Sequence, residues 1–230
     1  MTSLYIHGLG QTPSVWQPVL RLMNTPANCA QPDLASMVCA KPTTYTNLYK
    51  AFAQLCDASA APLMLCGLSL GGVLALHYAV EHPERVAALV LIAPQYKMPK
   101  RLLKMQNILF RIMPASVFRE TGFSKAQFIE LCGSMTELDF TAALPRITCP
   151  ALVVCGSRDH ANKRACIELS QRICTAELAM IEGAGHELNR ETPEELAALL
   201  QDFYKKSHRA IRTTDTITRT RTGEFPHVSK

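Results

Sequence analysis

The chain has 230 residues, carries 24 basic against 19 acidic side chains and has a formal net charge of +5. Hydrophobic residues make up 48% and charged residues 19%, a balance that excludes a disordered or fibrous chain and suits one domain with a sizeable core. No window of about 18 uncharged apolar residues occurs, which excludes a spanning helix.

Residues 1–8 read as a first strand, near Ser3 to Ile6, rather than as a signal peptide, and His7-Gly8-Leu9-Gly10 follows it. A helix is expected near Ser14 to Met23, a strand near Asn28 to Gln31 and a helix near Thr46 to Ala58. Then come a strand near Leu63 to Cys66, a helix near Leu70 to Glu81 and a strand near Val86 to Ile92. The interval from Gln95 to about Leu144 breaks the alternation. Apolar residues recur there at helical spacing from position 102 to Met113, with Lys97, Lys100, Lys104 and Arg111 among them, which predicts an amphipathic helix. A second is expected near Ser124 to Cys132. Alternation resumes with a strand near Ala151 to Cys155, a helix near Asn162 to Ile173, a strand near Glu177 to Ile181 and a helix near Pro193 to Ser207. Strand and helix in turn predict an α/β fold, a mostly parallel sheet of about six strands covered on both faces.

Residues 1–207 therefore read as one domain. From Lys205 onward the chain holds seven basic residues against two acidic ones, so the preceding residues balance and the whole excess lies at the end. Residues 208–230, basic and threonine-rich, read as a disordered tail. A neutral body argues against a nucleic-acid partner. Nine cysteines include no C-x-x-C pair, which argues against a metal knot and suits free thiols in a reducing compartment. The expected location is the cytoplasm.

The chemistry concentrates at Gly67-Leu68-Ser69-Leu70-Gly71, between the apolar run ending at Cys66 and the helix that begins at Leu70. A serine on a tight strand-to-helix hinge takes an uncommon backbone conformation and presents its hydroxyl, as a nucleophile must. Leu70 offers its backbone N–H at the start of the helix, where unpaired donors and the dipole favour a developing oxyanion. Further along, Gly156-Ser157-Arg158-Asp159 delivers a carboxylate after a buried strand, and Gly183-Ala184-Gly185-His186 delivers an imidazole after the last strand. Asp159 is also suited to cap the helix that follows it. The strand ending Ile92-Ala93-Pro94-Gln95 supplies no carboxylate, which leaves Asp159 unopposed.

These four segments, with His7-Gly8-Leu9-Gly10 as the first, resemble the α/β-hydrolase family, and the chain looks like a compact member. The resemblance implies Ser69 as nucleophile, His186 as general base and then acid, and Asp159 as the group that orients the imidazole. It implies the Leu9 amide as a second oxyanion donor beside that of Leu70, with His7, Gly8, Gly10 and Leu68 lining the site. His7, at an apolar strand end, reads as a prop for the loop rather than a proton carrier. The interval 95–144 corresponds to a lid, where Met105, Phe110, Met113, Phe118 and Phe128 either dock the lid on the core or line an acyl pocket. The activity implied is hydrolysis of a small-molecule ester or thioester through an acyl-enzyme, without metal or cofactor. Carbon–carbon bond hydrolysis, acyl transfer and ligand reception on the same scaffold are alternatives, since fold does not fix function. The sequence leaves the oligomeric state open.

Overall fold

The structure, a computed structural model, describes residues 1–23, 28–39 and 42–222. Its strands are β1 (Thr2–Ile6), β2 (Cys29–Ala30), β3 (Leu63–Leu68), β4 (Val86–Ile92), β5 (Ala151–Gly156) and β6 (Ala176–Ile181). The helices are α1 (Gln17–Leu22), α2 (Tyr45–Ala58), α3 (Leu70–Glu81), α4 (Lys100–Ile112), α5 (Lys125–Ser134), α6 (Lys163–Arg172), α7 (Leu188–Glu191) and α8 (Pro193–Thr222). The strands form one sheet in the order β2-β1-β3-β4-β5-β6, and every pairing is parallel. All carboxyl ends therefore share one edge, with the reversal of strand order between β1 and β3, where open α/β sheets build their sites.

Strand side chains alternate between two layers. Leu4, Ile6, Leu65, Leu89, Leu91 and Val153 join the core under α2, α3 and α6. Tyr5, Met64, Cys66, Val90, Ile92 and Val154 join the core under α1, α7 and α8. Helices on both faces are why these strands are apolar at every position rather than at every second one. All nine cysteines are free, and Cys66 and Cys155 are buried as small hydrophobes. Among the described residues no helix is long and apolar enough to cross a membrane.

The short helix α7 is an addition to the expected elements, most boundaries move by one or two residues, and three differences are larger. The first helix divides into a 3-10 turn over Pro13–Trp16 and α1, each with a proline in its first turn, where the missing N–H costs nothing. β2 is only two residues long. α8 continues past Ser207 to Thr222, and the last residues of the stretch read as a tail, 223–230, lie outside the described residues.

The lid consists of α4, a 3-10 segment over Ala115–Thr121 and α5. Ser124 and Gln127 start α5 with a reciprocal capping box. Where the lid leaves and rejoins the body its two arms run side by side. Met98 N donates to Leu138 O at 2.9 Å and Phe140 N to Tyr96 O at 2.8 Å, and Lys97 pairs with Asp139 at 2.9 Å. The lid is thus closed at its neck and rests on the layer that contains α2 and α3.

One close approach fixes the place where β1, β3 and α3 meet. A methyl group on Gly71 would lie 2.3 Å from Ile6 O and 2.8 Å from His7 O, and one on Gly67 would lie 2.2 Å from Gly71 O. Backbone touches backbone there, and no side-chain movement can relieve an added atom. Gly71→Ala should therefore cost about 3 kcal/mol or more, lowering Tm by roughly 6–12 °C for a domain of this size. In Gly133→Ala the added methyl meets only the end of the Asn107 side chain, and the shift should stay within about 1 kcal/mol of the parent. Calorimetric melts of the two variants check the difference.

Candidate active site

Ser69 stands between β3 and α3 with φ 52 and ψ −113, a conformation that costs a non-glycine residue about 1–3 kcal/mol. Its backbone is held from both sides: Ser69 N donates to Ile92 O at 2.8 Å, and Val73 N donates to Ser69 O at 2.9 Å. Ala93, the next residue after β4, also has a positive φ, of 49, and its N–H reaches Val154 O at 2.9 Å. Ser157 N then reaches Ile181 O at 2.9 Å. Each residue just past a strand end is tied to a carbonyl of the neighbouring strand, so this edge of the sheet is stitched from β3 across to β6.

The loop after β1 is held from within. Gln11 N donates to Gly8 O at 3.2 Å, and Gly8 N donates to Gln11 Oε1 at 3.1 Å. His7 is 1% exposed. It accepts from Leu34 N at Nε2, at 3.2 Å, which leaves Nδ1 protonated and donating to Gly8 O at 2.9 Å. Burial pulls its pKa below the ordinary value and outweighs the bond to Gly8, so the ring is a neutral strut between this loop and the segment at Leu34. Among the described residues neither the Leu9 nor the Leu70 backbone N–H has a partner.

Asp159 is 5% exposed and its Oδ2 receives His186 Nδ1 at 2.7 Å. Oδ1 also accepts from Asn162 N at 3.2 Å, at the head of α6. The carboxylate thus holds the turn that enters α6 while contacting the imidazole, but the cap position of α6 is Asn162, without a side-chain cap bond, so the N-cap role read for Asp159 is not the one observed. The Asn162 side-chain nitrogen lies 2.9 Å from each carboxylate oxygen and 3.1 Å from His186 Nδ1. Burial raises the Asp159 pKa, but the bonds from His186 and Asn162 prevail and leave it below its ordinary value.

His186 sits in the loop between β6 and α7. Glu191 holds the backbone on either side of it, taking Gly185 N at 2.7 Å and Glu187 N at 3.0 Å. At the start of α7, Asn189 is fully buried and pairs reciprocally with Gln11, both amide bonds at 3.2 Å. The imidazole loop is therefore tied through Gln11 to the Gly8 amide. The Asp159–His186 contact is made, and Ser69 stands at the same edge of the sheet. Among the described residues no hydrogen bond links the Ser69 hydroxyl to His186. Such contacts are often long in unliganded sites and tighten when substrate binds.

The lid residues divide. Phe110, Phe118 and Phe128 meet edge to face, with centroids 5.0 to 6.0 Å apart, and Met113 packs beside them on the core that also receives Leu9. Phe128 reaches the loop after β1, since a methyl on Gly10 would lie 3.9 Å from its Cε2. Met105 is a correction: it is 63% exposed, on the same outward face as Ile108, Leu109 and Ile112, rather than on the face that docks. α4 is apolar on two faces, and Leu103 and Phe110 occupy the inner one.

A sequence model of the alpha/beta hydrolase family matches residues 4–199. The chain is 31% identical to a pimeloyl acyl-carrier-protein methyl ester esterase of Pseudoalteromonas atlantica, over 41% of this chain and 38% of that protein. It is 22% identical to the monoacylglycerol lipase ABHD6 of Bos taurus, over 68% of this chain and 59% of that protein. The chain spans less than two thirds of the length of the curated relatives it matches. Among solved structures, the enol-lactonase from Burkholderia xenovorans LB400 superposes with a TM-score of 0.77 at 19% identity, covering 89% of this chain and 91% of that one. That likeness shows the fold.

The lowered pKa of Asp159 ties its ionisation to stability. A carboxylate whose pKa is depressed by folding contributes fully above its unfolded value and loses that contribution as pH falls through the folded one. Asp159→Asn lacks this contribution at every pH. Its stability deficit against the parent, read from urea denaturation, should be larger at neutral pH than below pH ~3.5.

Proposed function

The chain belongs to the α/β-hydrolase family, and on that premise we propose that it hydrolyses a carboxylic ester or thioester, with Ser69 as nucleophile, His186 as proton carrier and Asp159 as its partner. The observation that carries this reading is the 2.7 Å contact between His186 Nδ1 and Asp159 Oδ2. With Nδ1 donating to a carboxylate, the other ring nitrogen keeps its lone pair and can take a proton from a serine hydroxyl. The strained Ser69 hinge and the unpartnered Leu9 and Leu70 amides at the same edge support it. The relatives support the bond type, since the bacterial methyl ester esterase and the bovine monoacylglycerol lipase are both named for the cleavage of esters.

In this mechanism Ser69 Oγ forms a bond to the substrate carbonyl carbon as its proton passes to His186. The carbonyl oxygen, now negative, is met in this reading by the N–H groups of Leu9 and Leu70, backbone donors without another partner. Collapse breaks the bond to the alcohol or thiol, which leaves with the proton from His186. Water then attacks the acyl carbon as its proton passes to His186, and collapse breaks the bond to Ser69 Oγ, which takes that proton back as the acid is released. Asp159 holds the ring in one tautomer and stabilises its charged form. The aromatic group of Phe110, Phe118 and Phe128, on the lid side of the Gly10 loop, takes the acyl chain in this reading.

Hydrolysis of p-nitrophenyl esters and acyl-CoA thioesters of increasing chain length, with Ser69→Ala beside the parent, tests the proposal. Removing a nucleophile that acts as a unit with its base should lower kcat by about 10³-fold or more. A Ser69→Ala protein that keeps most of the rate would overturn the assignment.

A further inference from the structure

Two neutral amides stand behind the Asp159–His186 pair, one of them touching neither residue. Gln95, just after β4, donates from Nε2 to Ala161 O at 3.0 Å and to Asn162 Oδ1 at 2.8 Å. Ala161 O is a backbone carbonyl and can only accept, so the end of Gln95 that reaches it must be the nitrogen. That nitrogen in turn requires an acceptor from Asn162, which fixes Oδ1 toward Gln95. Asn162 Nδ2 is left facing Asp159 and His186, at 2.9, 2.9 and 3.1 Å from Oδ1, Oδ2 and Nδ1. A single backbone carbonyl thus sets the orientation of both amides without ambiguity.

We infer that Gln95 and Asn162 form a positioning relay that fixes the plane of the Asp159 carboxylate and the tautomer of His186. The inference rests on the reading of that pair as the proton carrier for Ser69. The two oxygens of one carboxylate lie too close together to take two diverging hydrogens, so a single Asn162 N–H is shared between them. The remaining neighbour, His186 Nδ1, is a donor itself, because it lies 2.7 Å from Oδ2 and an ionised carboxylate only accepts. Were Asn162 free to turn, its oxygen would face the carboxylate, and Asp159 would lose the Asn162 donor while gaining a repulsive neighbour. The charge-assisted bond to His186 would then compete for an unanchored acceptor. Gln95 prevents that turn from a position outside the pair, at the strand end where the sequence offers no acid. The other titratable groups in electrostatic reach are the thiols of Cys155 and Cys166, with Lys163 beyond them, and the relay leaves all three unchanged.

The test compares Gln95→Met, which keeps length and removes the donor, with Asn162→Ala and the double variant, on one p-nitrophenyl ester. Each single variant should lower kcat by about tenfold with KM within about twofold, and should move the acid limb of the kcat/KM profile upward by about half a pH unit or more. The double variant should lose no more than Asn162→Ala alone, because Gln95 acts through Asn162. The downfield proton resonance of His186 Nδ1–H should shift in the same direction in both single variants, a readout that needs no turnover. An unchanged resonance and pH profile in Gln95→Met, or losses that multiply in the double variant, would overturn the relay. Ser69→Ala measured in parallel separates the failures: a parental rate there removes the nucleophile assignment, while the resonance still judges the relay.

Discussion

The molecule is organised around a contact between backbones, where β1, β3 and α3 meet with no side chain between them. Gly67 and Gly71 let the hinge pass within van der Waals distance of the Ile6 and His7 carbonyls, and the rest of the edge follows from that. With α3 pressed onto β1, Ser69 is lifted out of the sheet and the start of α3 lies beside the loop that carries Leu9. The strand ends then descend in steps, Ser69 to Ile92, Ala93 to Val154 and Ser157 to Ile181. The sheet carries its own rigidity to the edge where the site lies.

The loops are joined by amides and carboxylates rather than by apolar packing. Gln11 and Asn189 satisfy one another inside the protein, which avoids the cost of about 1–3 kcal/mol for each buried polar group left unpaired. Glu191 does the same for the two amides beside His186. Such bonds are directional, so they fix angles that packing would leave soft, and they link loops from opposite ends of the chain. The lid is treated differently. It is anchored by its neck and by an aromatic cluster, and most of its outer face is left to solvent.

Much of this was legible in the sequence wherever the signal was local. Apolar runs and helical periods gave the sheet, and the order of strands and helices gave its parallel pairing. The hinge around Ser69, the turn at Asp159 and the loop at His186 each combine a strand end with glycine or a turn residue. What escaped depends on distance or on choice. Gln11 and Asn189 are 178 positions apart, and nothing in either residue announces the other. Gln95 looked like the absence of an acid and is instead a donor. Ala93 has a residue type that gives no hint of a positive φ. Met105 was misplaced because α4 offers two apolar faces, and periodicity cannot say which one docks.

The hinge at Ser69 has a consequence for the history of such a chain. Its φ of 52 and ψ of −113 belong to a region that glycine occupies freely, so the fold alone would favour glycine there over serine. A lineage with no use for a hydroxyl at this point would gain stability by discarding it in a single step. Folding and use pull in opposite directions on one side chain, and the serine persists only where the second pull is the stronger.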